Sequence, residues 1–216
     1  MDVLQQIIMM LGGVTTTLAI SIFSLLLGLS IGLPAAFVRT YEKSLRFLVE
    51  VFEKIFRGIP ELVLMLLFYW GIGLYVPFPF KNAIFTATFV LGLRSAANQS
   101  QIFRGAIRGI GDEQMVAARS IGLSKLRSIV HVMIPQVFVF ATPGLGSEYA
   151  LLVKDSSYAF VIGVSELMFD TIMIRKATLD AVTPYLVSAF LYILLTLPIA
   201  AWLDNWGSRR KKKLGV

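Results

Sequence analysis

The chain has no cysteine and a single histidine. The first absence excludes a disulfide framework and any thiolate metal site; the second excludes a histidine-rich metal centre. Charge is also scarce. Charged residues make up 15% of the chain, against roughly a quarter in soluble domains. No Gly-x-x-x-x-Gly-Lys-Ser/Thr phosphate loop is present, so the chain cannot power work through that device. His-Glu-x-x-His is missing too, and Gly-x-Ser-x-Gly occurs only at Gly28–Gly32, inside a long uncharged apolar run and not at a strand-to-helix elbow. The lone His131 reads as a packed or interfacial residue, and the scattered methionines read as packing residues.

What the chain has is apolar length. Hydrophobic residues make up 56% and the mean hydropathy is +0.76. No charge falls between Asp2 and Arg39, a run longer than the roughly 20 residues needed to span a bilayer. No basic residue precedes it, which argues against a cleavable signal peptide. Ser24 and Gly28-x-x-x-Gly32 place small residues on one face of this first span, as close helix packing in lipid requires.

Arg39 to Arg57 interrupts with helical period and reads as an interfacial elbow helix. Leu45, Leu48, Phe52 and Ile55 share one face, and Glu42/Arg46, Glu50/Lys54 and Glu53/Arg57 are spaced for i,i+4 pairing. Arg57-Gly-Ile-Pro60 breaks that helix and leads into a second apolar run, Leu62 to about Tyr75. Pro77 and Pro79 mark a turn, and a third span opens near Asn82. Arg94, Asn98, Gln99 and Gln101 follow in it. They either face a bundle interior or lie at the span's end, where arginine snorkels.

Gly111 to Arg127 is the polar centre of the chain. Asp112 can cap a short helix with its side chain, Gly122 ends it in a left-handed turn, and Ser124 starts a second helix. Pro135, Pro143, Gly144 and Gly146 predict a kinked or broken fourth span. Residues 156–183 read as a re-entrant or surface excursion. Pro184 opens a fifth span ending at Trp202 and Trp206, followed by Arg209-Arg-Lys-Lys-Lys213.

Five spans result. Three basic clusters fall on one side: Arg39 to Arg57, Arg104 to Arg127, and the tail. Only Lys81, Lys154, Arg175 and Lys176 fall on the other. This asymmetry places the tail and the central loop in the cytoplasm and the N-terminus outside. The net charge of +7 is split into these clusters, which suits lipid headgroups better than nucleic acid. Polar residues at membrane depth beside helix breaks nominate Asn98, Gln101, Glu148, Asp155 and Ser156 for a translocation pathway. Glu148 and Asp155 would accept a substrate ammonium group, or alternatively brace the fourth span.

The motifs resemble a known family. Phe56-Arg-Gly-Ile-Pro60 with Leu62-Val63, Ile102-Phe-Arg-Gly-Ala-Ile-Arg-Gly-Ile110, and Gln114-x-x-Ala-Ala-x-Ser-Ile-Gly122 with Ile134-Pro-Gln136 occur in order. Pro143-x-Leu-x-Ser-Glu148, Lys154-Asp-Ser-Ser157 and Gly163-Val-x-Glu-Leu167 follow. Together they resemble the transmembrane permease subunits of ABC importers, specifically the polar amino-acid uptake family. The resemblance implies an all-α, type I importer permease: one transmembrane domain over residues 1–216, multi-pass in the cytoplasmic membrane, with a coupling loop at about 105–127. It implies docking of that loop on a cytoplasmic ATPase subunit through Asp112, Glu113, Gln114, Ala117, Ala118 and Gly122. ATP and Mg would be bound by that partner and not by this chain, which would itself not be an enzyme. A second permease subunit, identical or not, and an external amino-acid-binding protein complete the implied assembly. Val116 stands where the family's loop has glutamate, and Ile59, Ser147 and Tyr158 replace its usual Thr, Asn and Leu. Two other readings compete: a non-transporting scaffold that binds an ATPase, and a membrane enzyme built on Asp155 or Glu166.

Overall fold

The computed structural model describes residues 2–213, and every regular element among them is helical. Helix α1, Val3–Tyr41, starts at a reciprocal capping box. Asp2 Oδ1 accepts from Gln5 N–H at 2.8 Å, and Gln5 Oε1 accepts from Asp2 N–H at 3.2 Å. At 39 residues it is about 58 Å long, longer than a bilayer's apolar core.

Helix α2, Arg46–Gly58, and the next helical run are bent by 99°. That run is α3 (Glu61–Leu66), a π-helical stretch Leu67–Ile72 and α4 (Gly73–Tyr75). The bend falls at Ile59–Pro60, where proline has no N–H to continue the ladder. A short α5, Pro77–Phe80, leads to α6, Ala83–Ile110, capped by Asn82 accepting from Phe85 N–H.

Helix α7, Glu113–Ser120, and α8, Lys125–Ser128, form the polar projection. A π-helical stretch, Ile129–Met133, then passes into α9, Ile134–Asp155. A single 3₁₀ stretch, Ser156–Ile162, and α10, Leu167–Thr178, precede α11, Thr183–Lys213.

Among the described residues, three helical runs are long and apolar enough to cross a membrane: α1, Lys125–Ile162 and α11. The bent pair makes a fourth if counted as one span. Helix α6 is long, but it carries polar and charged residues through its centre and C-terminal half.

Helix α6 lies in the middle, against α1, α2, α3 and α9. Its contact with α1 uses the small-residue stripe. A Cβ built on Gly28 would lie 2.4 Å from Gln99 Nε2, and one on Gly32 would lie 2.7 Å from the Ala96 carbonyl oxygen. Ser24 Oγ donates across the same seam to the Thr88 carbonyl at 3.0 Å. Below this seam Phe37, Phe103, Ile107, Met133 and Val137 form a buried cluster. The outer faces of α1 and α11 stay apolar and exposed, with Phe23 and Leu26 on one and Leu186, Phe190 and Leu197 on the other. Such surface suits lipid and not water.

Several local expectations need correction. The i,i+4 pairs of the elbow do not form as expected. Glu53 is buried and meets Arg39, Glu42 meets Lys125, and Arg46 meets Glu50. Helix α2 turns Phe47, Leu48 and Ile55 outward, so its acids face the protein. Arg94 does not snorkel; it is held between Glu61 and Asp155. The Asp112 side chain makes no cap bond, because that residue is already in helical conformation, where a capping residue is ordinarily extended. The fourth apolar run is not broken at Pro143, which lies inside α9. Its irregularity is the π-helical stretch ahead of Pro135, where the missing proline N–H leaves the backbone free to widen.

Candidate functional site

Three acid–base contacts stack along α6 like rungs. Glu53, Arg57 and Glu61 are spaced by four across the α2–α3 corner. Arg94, Asn98 and Gln101 are spaced by four and three on α6, and Glu148 and Asp155 by seven on α9. The α6 and α9 spacings each keep their residues on one helix face, while Glu61 stands past the Pro60 corner on a separate helix from Glu53 and Arg57.

In the first rung, Glu53 accepts from Ser100 Oγ at 2.7 Å and from Gln101 Nε2 at 2.8 Å. The Arg39 guanidinium pairs with the same carboxylate and reaches Glu50 at 3.3 Å. In the second, Arg57 Nε donates to Asn98 Oδ1 at 3.0 Å, and Asn98 Nδ2 donates to Glu148 Oε2 at 3.2 Å. In the third, Arg94 Nε meets Glu61 and Arg94 Nη1 donates to Asp155 Oδ2 at 2.7 Å. Glu148 is 2% exposed, while the third-rung side chains keep 14–19%. Paired charge this deep costs less than isolated charge, and a remnant of exposure leaves the third rung open to a solute.

The nominated pathway residues are therefore not one cluster. Asn98 and Glu148 touch each other, and Asp155 lies in the next rung. Gln101 belongs to the first rung with Glu53. Ser156 is buried and donates to the Val153 carbonyl at 2.8 Å, bonding the end of its own helix. Sequence reading missed Glu53 and Glu61, although the period of four through Arg57 was there to find. Glu166, named for the enzyme reading, is spent as an N-cap, accepting from Met168 and Phe169 N–H at 2.9 and 2.8 Å.

The polar projection has its own geometry. Gly122 adopts φ +89°, and Leu123 N–H reaches back to the Ala118 carbonyl while Gly122 N–H reaches Arg119. This is the six-to-one and five-to-two pairing of a left-handed helix stop. Ser124 caps α8 through Arg127 N–H. Asp112, Glu113, Gln114, Ala117 and Gly122 are exposed. Ala118 is buried, 4% exposed, and faces its own chain with Met115. Exposed apolar Val116, Ile121 and Leu126 flank the turn. Lys125 Nζ ties the projection to the end of α1 through Glu42, at 2.5 Å, and the Tyr41 carbonyl, at 3.2 Å.

A bundle of apolar helices around a polar ladder, with a capped helical projection beyond it, defines a membrane transport component. Residues 24–212 match the family described as binding-protein-dependent transport system inner membrane component, and the chain belongs to that family. It is 34% identical to the arginine ABC transporter permease protein ArtQ of Haemophilus influenzae over 84% of either chain. It is 28% identical to the probable glutamine permease protein GlnM of Bacillus subtilis over 94% of either. The crystal structure of an amino acid ABC transporter with histidines superposes with a TM-score of 0.83, at 26% identity, over 97% of this chain and 99% of that one.

Proposed function

We propose that this chain is the permease subunit of an ATP-driven importer of polar amino acids, with cationic side chains preferred. The observation carrying this reading is the ladder's second and third rungs. Glu61, Glu148 and Asp155 face Arg57 and Arg94, one more acid than base. A cationic amino acid would bring the missing positive charge, with its ammonium or guanidinium on Glu148 and Asp155. Relatives named for arginine and glutamine transport support the substrate class.

The fold is used as five spans, the bent pair and α6 included, with the N-terminus outside. Helix α6, at 28 residues, is about 42 Å long, enough for a bilayer. Its polar residues turn inward onto α2, α3 and α9, which makes them tolerable at membrane depth. Two permease chains would enclose the pathway. A cytoplasmic ATPase would grip the projection through Asp112, Glu113, Gln114, Ala117 and Gly122, and would hold the ATP and Mg. A binding protein outside would deliver the amino acid.

The test is uptake by the permease–ATPase complex in proteoliposomes, with the binding protein supplied on the outer side and competition by a panel of amino acids. ATP-dependent arginine uptake, weakened in Glu148→Gln and Asp155→Asn while glutamine uptake persists, is the expected result. A complex that binds the ATPase but moves no amino acid would support the scaffold reading instead.

A further inference from the structure

We infer that Glu61 sets the preference for cationic substrates by holding Arg94 in reserve, so that a substrate cation can displace Arg94 from Asp155. This rests on the reading of Asp155 as a substrate contact. Arg94 meets its two carboxylates with different parts of its guanidinium: Nε on Glu61 and Nη1 on Asp155. Releasing Asp155 therefore leaves the Glu61 pair in place. The exchange strands no charge, because Arg94 keeps one anion and the incoming cation takes the other. Without Glu61, Arg94 would have Asp155 as its one anionic partner, and a substrate cation would have to leave it unpaired at membrane depth, which is costly.

The geometry favours such an exchange. Glu61 starts α3 directly after the Pro60 corner, so its backbone is fixed by α3 packed on α6 and not by the arginine. Asp155 ends α9, where the backbone passes into the 3₁₀ stretch. Arg94 lies on α6 between them. All three side chains retain partial exposure, as an exchange with solute requires. The planar guanidinium suits this role, because a lysine ammonium does not present two separate N–H edges.

The experiment is arginine and glutamine uptake by the permease–ATPase complex in proteoliposomes, with the same binding protein supplied outside throughout, for four forms: native, Glu61→Gln, Glu61→Gln/Arg94→Gln, and Asp155→Asn. Glu61→Gln should raise the KM for arginine about tenfold, a coupling of ordinary allosteric size, and leave that for glutamine within about twofold. Removing Arg94 as well should bring the arginine KM back to within about threefold of native, because the competitor for Asp155 is gone. Equal losses for arginine and glutamine in Glu61→Gln, or a double variant worse than the single, would overturn the inference by showing a bracing role only. If Glu61→Gln fails to assemble, the double variant decides alone by the same threefold criterion. An unchanged arginine KM in Asp155→Asn would remove the substrate-site reading and this inference together. A raised KM there with none in Glu61→Gln would remove only the inference.

Discussion

Asn98 on α6 donates through Nδ2 to Glu148 Oε2 on α9 at 3.2 Å, and its orientation is fixed by Arg57 on the opposite edge of the amide. One neutral side chain thus separates a guanidinium from a buried carboxylate. Asn98→Leu would take this donor from the buried Glu148 carboxylate, at a cost of about 1–3 kcal/mol, while the exposed Arg57 turns to water. A drop in the melting temperature of the purified complex is expected. Asn98→Leu/Glu148→Leu should recover part of that loss, since removing both partners is nearly neutral. A double variant less stable than the single would contradict the assignment.

Glu53 anchors the elbow helix. It is 2% exposed and takes bonds from Ser100, Gln101 and Arg39. Glu53→Leu leaves the Arg39 guanidinium with Glu50 alone and removes the acceptor of Ser100 and Gln101, a change of up to about 3 kcal/mol where one partner of a buried pair is lost. Protease accessibility of residues 42–60 should rise while ATPase binding to the projection is retained. Unaltered protease protection would show that the apolar contacts of α2 hold it alone.

The seam between α1 and α6 has no spare room at Gly28, where even one added carbon would meet Gln99. Gly28→Leu should destabilise the fold by about 1–3 kcal/mol through overpacking, seen as a lowered melting temperature. Gly12→Leu is the control, because nothing lies within 4 Å of a Cβ there. Equal effects at the two positions would count against the tight seam.

Ala117 and Ala118 are adjacent and face opposite ways. Ala117→Glu should abolish co-purification of the ATPase and leave the chain's own melting temperature unchanged. Ala118→Glu should lower that melting temperature, because the buried side of α7 receives a charge. Gly122→Val should act on the fold as well, by about 1–2 kcal/mol, since φ +89° disfavours a β-branched residue. If Ala117→Glu retained the ATPase, the exposed face of α7 would not be the contact.

Because the native chain has no cysteine, single substitutions report topology directly. Ile121→Cys and Val182→Cys are both well exposed positions, at 79% and 60%. A membrane-impermeant thiol reagent added to intact cells should label Val182→Cys and spare Ile121→Cys. The reverse pattern would invert the proposed orientation.

Much of this was legible in the sequence because lipid imposes long, unambiguous periods. The uncharged run after Asp2, the small-residue stripe at Gly28 and Gly32, the start at Asn82 and the stop at Gly122 all follow from local chemistry. The ladder was only half legible. Asn98, Glu148 and Asp155 stood out as polar residues in apolar surroundings. Glu53 and Glu61 did not, because Pro60 separates two segments whose shared period of four appears only once the corner is folded against α6. Ala118, nominated for the ATPase contact, is buried, because which face of a short helix turns inward is decided by packing around Met115 and its neighbours, and not by the loop's own composition.

The near-right-angle corner at Ile59–Pro60 constrains the chain's own length there. Arg57 and Glu61 stand on its two arms and bond residues one turn apart on a single straight helix. Deleting one residue between them would shorten the extended corner and pull Glu61 out of register with Arg94. The four-residue count from Arg57 to Glu61 therefore behaves as a fixed gauge, set by the one-turn spacing of Asn98 and Arg94 on α6.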